Sequence, residues 1–362
     1  MTMVSAATSS SVQSGGVLDS RRSNPQLLGL DVWGATDVGR ERAVNEDAIY
    51  PDPMGGKRFY IPSADLLARK GQLLLVADGI GGEQVGSAAS QWAIRLVAER
   101  YYVLPGQDLT GDLREAIEQT NGALHRYLQE TGATQAGSTM VAAVVHEGQL
   151  YLANVGDSRA YLLRDGVLYQ QSRDHTLAQQ KAERGAIAQA EVANDPDASV
   201  LTRALGAAAS VLVDVFRPVP LAPGDVVVLC SDGLYDMVPD AEIVHAVSGS
   251  APRRAVERLI ETANVQGGYD NISVVLARVG SAAAPATVTS GYSGALREDL
   301  AQLEPSRRRA LLIALLVIAF VIFVAMLVIG WGLYSPASEN APAAAIPSLL
   351  TLLQRYWGGW NA

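Results

Sequence analysis

Apolar residues along this chain come in two rhythms. Leu73–Ala77 is an unbroken apolar run that stops at Asp78-Gly79, and Val226–Cys230 is a second run that stops at Ser231-Asp232-Gly233. Runs this short, with no polar alternation, predict strands buried on both faces. Ser138–His146 with Gln149–Val155 predicts one hairpin, and Arg159–Gln170 around the turn pair Asp165-Gly166 predicts another. Leu30–Val38, Val213–Val219 and Asn271–Val279 read as further strands. The second rhythm, apolar residues three and four apart, predicts helices over Ser87–Tyr102, Asp112–Gln129, Asp240–Ser248 and Pro252–Val265. Two shorter helices are expected at Thr176–Arg184 and Ala188–Ala193. Pro51–Gly71 carries proline, paired glycines and mixed charge, and reads as a surface loop. Consecutive hairpins require antiparallel sheets, which excludes a doubly wound nucleotide fold. Helices segregated around such sheets make an α+β layered domain over 28–280.

The flanks read differently. Residues 1–27 are rich in serine and small side chains and lack an apolar h-region, so they predict a disordered lead and not a secretory signal. Residues 281–309 form an Ala/Ser/Gly/Thr-rich linker that ends in Arg307, Arg308 and Arg309. Ala310–Tyr334 then runs 25 residues without a charge. A helix of that length crosses a ~30 Å hydrocarbon core. Three arginines precede it and only Arg355 follows, so the positive-inside rule puts the 28–280 domain in the cytoplasm and 335–362 outside. The expectation is a single-pass protein of the cell membrane. The outer tail, with Leu349, Leu353, Trp357 and Trp360, suits either an interfacial amphipathic helix or a disordered stub.

Composition narrows the chemistry. With 362 residues and 49% hydrophobic content the chain can bury a large core. A formal net charge of -9 argues against nucleic-acid binding, which needs basic surface. The single cysteine, Cys230, cannot form an internal disulfide. Four histidines are scattered without ligand spacing, which argues against zinc. Any bound metal must therefore take oxygen ligands, as magnesium, manganese or calcium does.

Four acids supply such oxygens. Asp78 and Asp232 follow apolar strands, whereas Asp47 and Asp270 precede them, and loops at the strand ends of one edge can converge. The carboxylates would repel one another without cations. Two hard divalent ions relieve that repulsion, and a water shared between them is acidified enough to attack phosphorus in line. Arg42, close to Asp47, suits bidentate binding of the phosphate oxygens. No serine, cysteine or histidine nucleophile is required.

VGRERAVNEDA, VADGIGG, AGSTM, NVGDSRAYLLRDG, RDHT, LTRALG, CSDGLYDMV and DNISVVL stand in the order and spacing of the metal-dependent protein phosphatases. Over Gly34 to Ala277 the chain resembles this protein phosphatase 2C family, and most of all its bacterial members that oppose serine/threonine kinases. The resemblance implies a four-layer α-β-β-α sandwich, with two antiparallel sheets flanked by helices and metals at one end. It also implies two divalent cations, Mn2+ or Mg2+. Asp78 resembles the acid bridging both ions, and Gly79 the residue offering a backbone carbonyl. Asp47 resembles a ligand of one ion; Asp232 and Asp270 resemble ligands of the other. Glu46 resembles a ligand acting through water, and Arg42 the phosphate-binding arginine.

Three departures qualify the likeness. Gly132–Gly137 has no acid for a third metal, Ile80 stands where eukaryotic members place a histidine, and Glu83 replaces the histidine of the bacterial DGMGGH. The leaving-group proton is then expected from metal-bound water. Asp157 with Arg159 is expected to form a buried pair or turn lock. Asp174-His175 is expected to open an excursion, Thr176–Leu205, that resembles the family's flap, with Asp195 and Asp197 exposed on it. The function expected is hydrolysis of phosphoserine and phosphothreonine in proteins phosphorylated by cognate kinases. The alternative is a pseudophosphatase, a binding module that keeps the fold without turnover; the complete acid set argues against it.

Overall fold

The computed structural model describes residues 29–53 and 60–280. The predicted lead, linker, membrane span at 310–334 and outer tail lie outside them. Among the described residues no helix is long and apolar enough to cross a membrane.

The first half of the chain forms β1 (Leu30–Asp37), β2 (Ala48–Tyr50), α1 (Ala64–Lys70), β3 (Gln72–Ala77), β4 (Gly79–Ile80), α2 (Glu83–Val103), α3 (Leu109–Glu130), β5 (Gly137–Ser138), β6 (Met140–His146) and β7 (Gln149–Val155). The second half forms β8 (Arg159–Arg164), β9 (Val167–Gln170), α4 (Leu177–Glu183), β10 (Asp214–Val215), β11 (Val219–Pro220), β12 (Val226–Cys230), α5 (Asp232–Tyr235), α6 (Asp240–Val247), α7 (Pro252–Val265) and β13 (Ile272–Val279). One antiparallel sheet has the order β1-β13-β12-β8-β9, and the other has β10-β7-β6-β3-β2 with β11 also on β7. Leu30 pairs with Val279, so the two ends of the predicted domain are neighbouring strands.

Alternate residues of the central strands face different layers, because successive strand side chains point to opposite faces. In β3, Leu73, Leu75 and Ala77 pack with Ile94, Val97, Leu113 and Ile117 of α2 and α3. Leu74 and Val76 instead meet Leu162, Val227, Leu229 and Val275 between the sheets. In β12, Val226, Val228 and Cys230 pack with Ile243, Val247, Val256 and Leu259 of α6 and α7. Both faces of both sheets are therefore covered, in the order helices, sheet, sheet, helices. That is the physical source of the unbroken apolar runs.

The structure corrects several local expectations. Pro51–Gly71 is not all loop: Ala64–Lys70 is α1, capped by Ser63 Oγ accepting from Leu66 N–H at 3.2 Å and closed at Gly71. Seven residues are too few to display a helical period. Val213–Val219 is not one strand but two short pairings on β7, and Pro218 between them has no N–H for a ladder. The strand at 138–146 breaks at Thr139, so Gly137–Ser138 pairs with Gly79–Ile80 instead. Ala188–Ala193 becomes a 3-10 turn at Gln189–Asn194. Asp232–Tyr235, not expected as helix, makes one turn.

Helix α1 is held by a buried charge. Lys70 is fully buried; its Nζ donates to Asp112 Oδ2 and to the Leu104 carbonyl at 3.2 Å, and lies 4.2 Å from the centre of the Tyr101 ring. Gly106 N–H donates to the same Asp112 oxygen at 2.7 Å. Burial pulls the Lys70 pKa down and Asp112 pulls it back up. Removing one partner of a buried pair leaves the other charge uncompensated. Asp112→Ala should therefore cost about 3–5 kcal/mol in urea denaturation. The apolar pair Lys70→Met with Asp112→Leu should recover most of that loss; equal stability of Asp112→Ala and wild type would rule out this clamp.

Candidate metal centre

Strand register gathers the acids at one end. Ala48 pairs with Ala77, so Asp47 and Asp78 leave the second sheet side by side. Cys230 pairs with both Val274 and Arg159. Asp232, Asp270 and Asp157 therefore leave the first sheet at that same end. The 38–47 loop starts there as well, because Asp37 pairs with Ile272.

Short side chains then stitch the two sheets together. Ser231 Oγ donates to Asp47 Oδ2 at 2.7 Å, and Ser273 N–H donates to Ser231 Oγ at 3.0 Å. Asn271 Oδ1 accepts from Glu46 N–H at 2.8 Å, while its Nδ2 donates to the carbonyls of Val38 and Val44 at 2.9 and 3.1 Å. The loop bearing Arg42 and Glu46 is thus tied to the head of β13. Asp78 is fixed through its backbone: its N–H donates to Thr139 Oγ1 at 2.8 Å, and Thr139 N–H donates to the Asp78 carbonyl at 2.8 Å. Gly86, in the first turn of α2, explains itself by close approach, since a Cβ there would lie 2.0 Å from Glu46 Oε1. A Cβ on Gly79 would lie 2.2 Å from the Gly86 carbonyl oxygen.

The predicted ligands Asp47, Asp78, Asp232 and Asp270 are brought to one place, with Glu46 and Gly79 beside them and Arg42 at the mouth. Arg42 Nη2 donates to Asp270 Oδ2 at 2.7 Å, and the pair is partly exposed. Among the described residues, no three acid, imidazole or thiol groups already close around a common point as an ion cage. Asp47 is turned to Ser231 and Asp270 to Arg42. The electrostatics nevertheless show the strain of proximity. Burial, with a smaller contribution from the charge of Asp270, pushes the Asp47 carboxyl up to about 7. Asp78 is raised well above the ordinary carboxyl range by burial and then by the charges of Asp232, Asp47, Asp157 and Asp270. Asp232 is raised likewise, by burial and then by Asp157, Asp270 and Asp47. An all-oxygen donor set with this much crowded negative charge fits hard divalent cations. Asp47, Asp78, Asp232, Asp270 and the Gly79 carbonyl are the groups that would hold them.

Sequence reasoning missed Ser231, although it stands immediately before Asp232 in VVVLCSDG, because its partner Asp47 is far away along the chain. It also paired Arg159 wrongly. The carboxylate partner is Asp174, which accepts from Arg159 Nη2 at 2.7 Å and Nε at 3.0 Å, while the guanidinium stacks 3.5 Å from the centre of the Tyr235 ring. Asp157 instead joins the acid cluster. It is buried, and its carboxyl is pushed up to about 7 by that burial and by Asp174. His175 is 3% exposed and serves structure: its Nδ1 accepts from Gly156 N–H at 3.0 Å, and its Nε2 faces Asp214 Oδ2 at 3.1 Å. On the excursion, Asp195 and Asp197 are not free in solvent, since Lys181 Nζ lies 2.7 and 2.6 Å from their oxygens.

Comparison with known proteins points the same way. Residues 52–208 match the protein phosphatase 2C family. Over 247 residues the chain is 36% identical to the serine/threonine phosphatase stp of Listeria innocua, a match covering 67% of this chain and 92% of that protein. It is also 36% identical over 245 residues to the serine/threonine protein phosphatase PstP of Mycobacterium tuberculosis, covering 67% of this chain and 44% of that protein. Among solved structures, the Mycobacterium tuberculosis phosphatase PstP/Ppp superposes with a TM-score of 0.61 at 34% identity, covering 70% of this chain and 100% of that one. The catalytic domain of PstP in complex with two manganese ions superposes with a TM-score of 0.58 at 32% identity, covering 70% of this chain and 100% of that one.

The raised carboxyls predict an unusual pH dependence. An aspartate near 4 when unfolded and about 7 when folded makes the fold hold an extra proton. Stability is then present below about pH 4 and is lost as pH rises toward 7. With divalent cations removed by chelator, urea denaturation should show stability falling by on the order of 2–4 kcal/mol between these pH values. Excess Mn2+ at pH 7 should reverse the fall; stability that rises with pH in chelator would contradict the crowded-acid description.

Proposed function

The chain belongs to the protein phosphatase 2C family, and we propose that it hydrolyses phosphoserine and phosphothreonine in proteins, using two divalent cations. The observation that carries this reading is the convergence of Asp47, Asp78, Asp232 and Asp270 at one end of both sheets, with Arg42 at its edge. When bound there, Mn2+ or Mg2+ supplies Lewis acidity and an acidified water suited to in-line attack on phosphorus. The protein's own contribution is to position. Asp47 and Asp232 are steadied by the serine-backbone stitch between the sheets, and Asp78 by Thr139. Glu46 is wedged against Gly86, with its backbone N–H held by Asn271. Arg42 is a planar fork able to leave Asp270 for two oxygens of a phosphate ester, which holds the ester in line and offsets developing charge. The Arg159–Asp174 pair and His175 brace the excursion at 176–205, which borders the site in the family reading.

Anchoring is part of the proposal. The uncharged run at 310–334, with Arg307–Arg309 before it, supports a single membrane pass with the phosphatase domain in the cytoplasm. Substrates are then proteins phosphorylated by the cognate serine/threonine kinases. Unreplaced carboxylates at all four positions weigh against a binding module without turnover.

Two measurements check this. The full chain should release phosphate from p-nitrophenyl phosphate with Mn2+ and not with chelator, and Asp232→Asn should lower kcat/KM at least about 100-fold. Undiminished turnover by Asp232→Asn would reject the mechanism. Deleting 310–334 should move the protein from the carbonate-washed membrane pellet to the supernatant; an unchanged distribution would reject the anchor alone.

A further inference from the structure

Beside the acid cluster, two loops are fused into one lip. Helix α7 gives way to Gly267 and Gly268, which take φ of 132° and 55°, and Tyr269 and Asp270 follow. Opposite them, Gly39 has φ of 80°, and a Cβ there would lie 2.2 Å from the Asp270 carbonyl oxygen. Arg40 and Glu41 N–H groups both donate to the Gly268 carbonyl, at 2.7 and 3.3 Å. Asn264 Nδ2 and Gly39 N–H donate to Asp37 Oδ1 at 3.1 and 2.9 Å, closing the lip from behind. Glycines would ordinarily loosen such a segment, but here each admits a close approach.

Two side chains occupy the space that the glycines leave open. The Arg40 stem runs over Gly268, its Cγ 2.9 Å from where a Cβ would be, and the Tyr269 ring edge lies 2.7 Å from the corresponding point on Gly267. Tyr269 is 60% exposed although its ring is large and apolar. Arg40 is exposed, and among the described residues it makes none of the ion pairs found around it. The adjoining Asp270 belongs to Arg42, the proposed phosphate-binding residue. Tyrosine and arginine are both enriched among the residues that carry binding energy at protein interfaces, and here they lie over the neighbouring glycines Gly267 and Gly268. An ordered aromatic also loses little side-chain entropy on binding.

We propose that Tyr269 and Arg40 form a peptide-binding shelf next to the phosphate site: the ring packs against the polypeptide flanking the phosphorylated residue, and the guanidinium selects an acidic side chain there. This rests on the phosphatase reading and adds a preference that the metal centre itself cannot supply, since the cations and Arg42 contact only the phosphate. Glu41, exposed on the same strip, adds repulsion against a peptide whose acid is misplaced.

The test uses the full chain in detergent with Mn2+, p-nitrophenyl phosphate as a small substrate, and phosphoserine peptides differing only in acid or lysine at the flanking positions, placed before or after the phosphoserine. Wild type should favour the acidic peptide about fivefold in kcat/KM on one of the two sides, as a partly exposed ion pair allows. Arg40→Ala should reduce that preference below about twofold, while Arg40→Lys should keep most of it. Tyr269→Ala should raise KM for all the peptides about tenfold with kcat little changed, the signature of lost binding common to ground and transition states. Turnover of the small substrate shows separately that the chemistry is intact. Peptide KM and acid preference that stay at wild-type values in both alanine variants, while p-nitrophenyl phosphate is cleaved, would overturn the shelf and leave the phosphatase standing. No phosphate release by wild type from any substrate would overturn the phosphatase reading, and the shelf with it.

Discussion

Burial of several carboxylates together at one end of the two sheets is the constraint on which the rest of this structure depends. Asp47, Asp78 and Asp232 each lose favourable hydration and, to a smaller extent, feel neighbouring acids, so each holds its proton more tightly than a free side chain does. Such a cluster persists only if the scaffold carrying it is rigid. The rigidity comes from two sheets covered on both faces, whose ladders put Ala48 opposite Ala77 and Cys230 opposite Val274. A one-residue slip in either ladder would move an acid out of the cluster and also turn an apolar face toward the wrong layer. Core packing and site geometry are therefore specified by the same register.

Most of the joints around the acid cluster are made by small polar groups. Ser231, Ser273, Asn271 and Thr139 each satisfy a backbone or carboxylate partner in a nearly dry interior, where an unpaired polar atom is costly. Ion pairs appear one layer further out. Arg159 with Asp174 and Tyr235 braces the start of the excursion at 176–205, and Lys181 draws Asp195 and Asp197 together within it. Lys70 with Asp112 does the same for α1 on the far side of the second sheet. Charge that holds structure is thus paired inside the protein, whereas within the acid cluster Asp270 pairs with Arg42 and Asp78 and Asp232 are crowded by other acids.

Much of this was legible along the chain. The apolar runs ending at Asp78 and Asp232 announced doubly covered strands, the Asp165-Gly166 turn announced its hairpin, and the helical periods of α2, α3, α6 and α7 lay within a few residues of the observed bounds. Short elements were not legible. Helix α1 and the turn at Asp232–Tyr235 are too brief for a period, and the break at Thr139 arises because its hydroxyl and N–H are taken by the backbone of Asp78. The partner of Arg159 could not be read either: Asp157 is nearer in sequence, but hairpin β8–β9 folds Asp174 back against the guanidinium.

What the sequence determined by itself was which residues are acids at strand ends, which strands are covered twice, and where an uncharged run follows three arginines. These are properties of composition and local order, fixed by the period of a strand or a helix. Only the tertiary structure decided which acids are neighbours, that Ser231 joins Asp47, that Asp157 sits among the acids and not with Arg159, and that Tyr269 stands exposed on the lip that Arg40 closes. Those outcomes depend on ladders and loop closures between residues up to more than two hundred positions apart, as in Arg42 with Asp270. No local pattern encodes such distances; the packing of two sheets does.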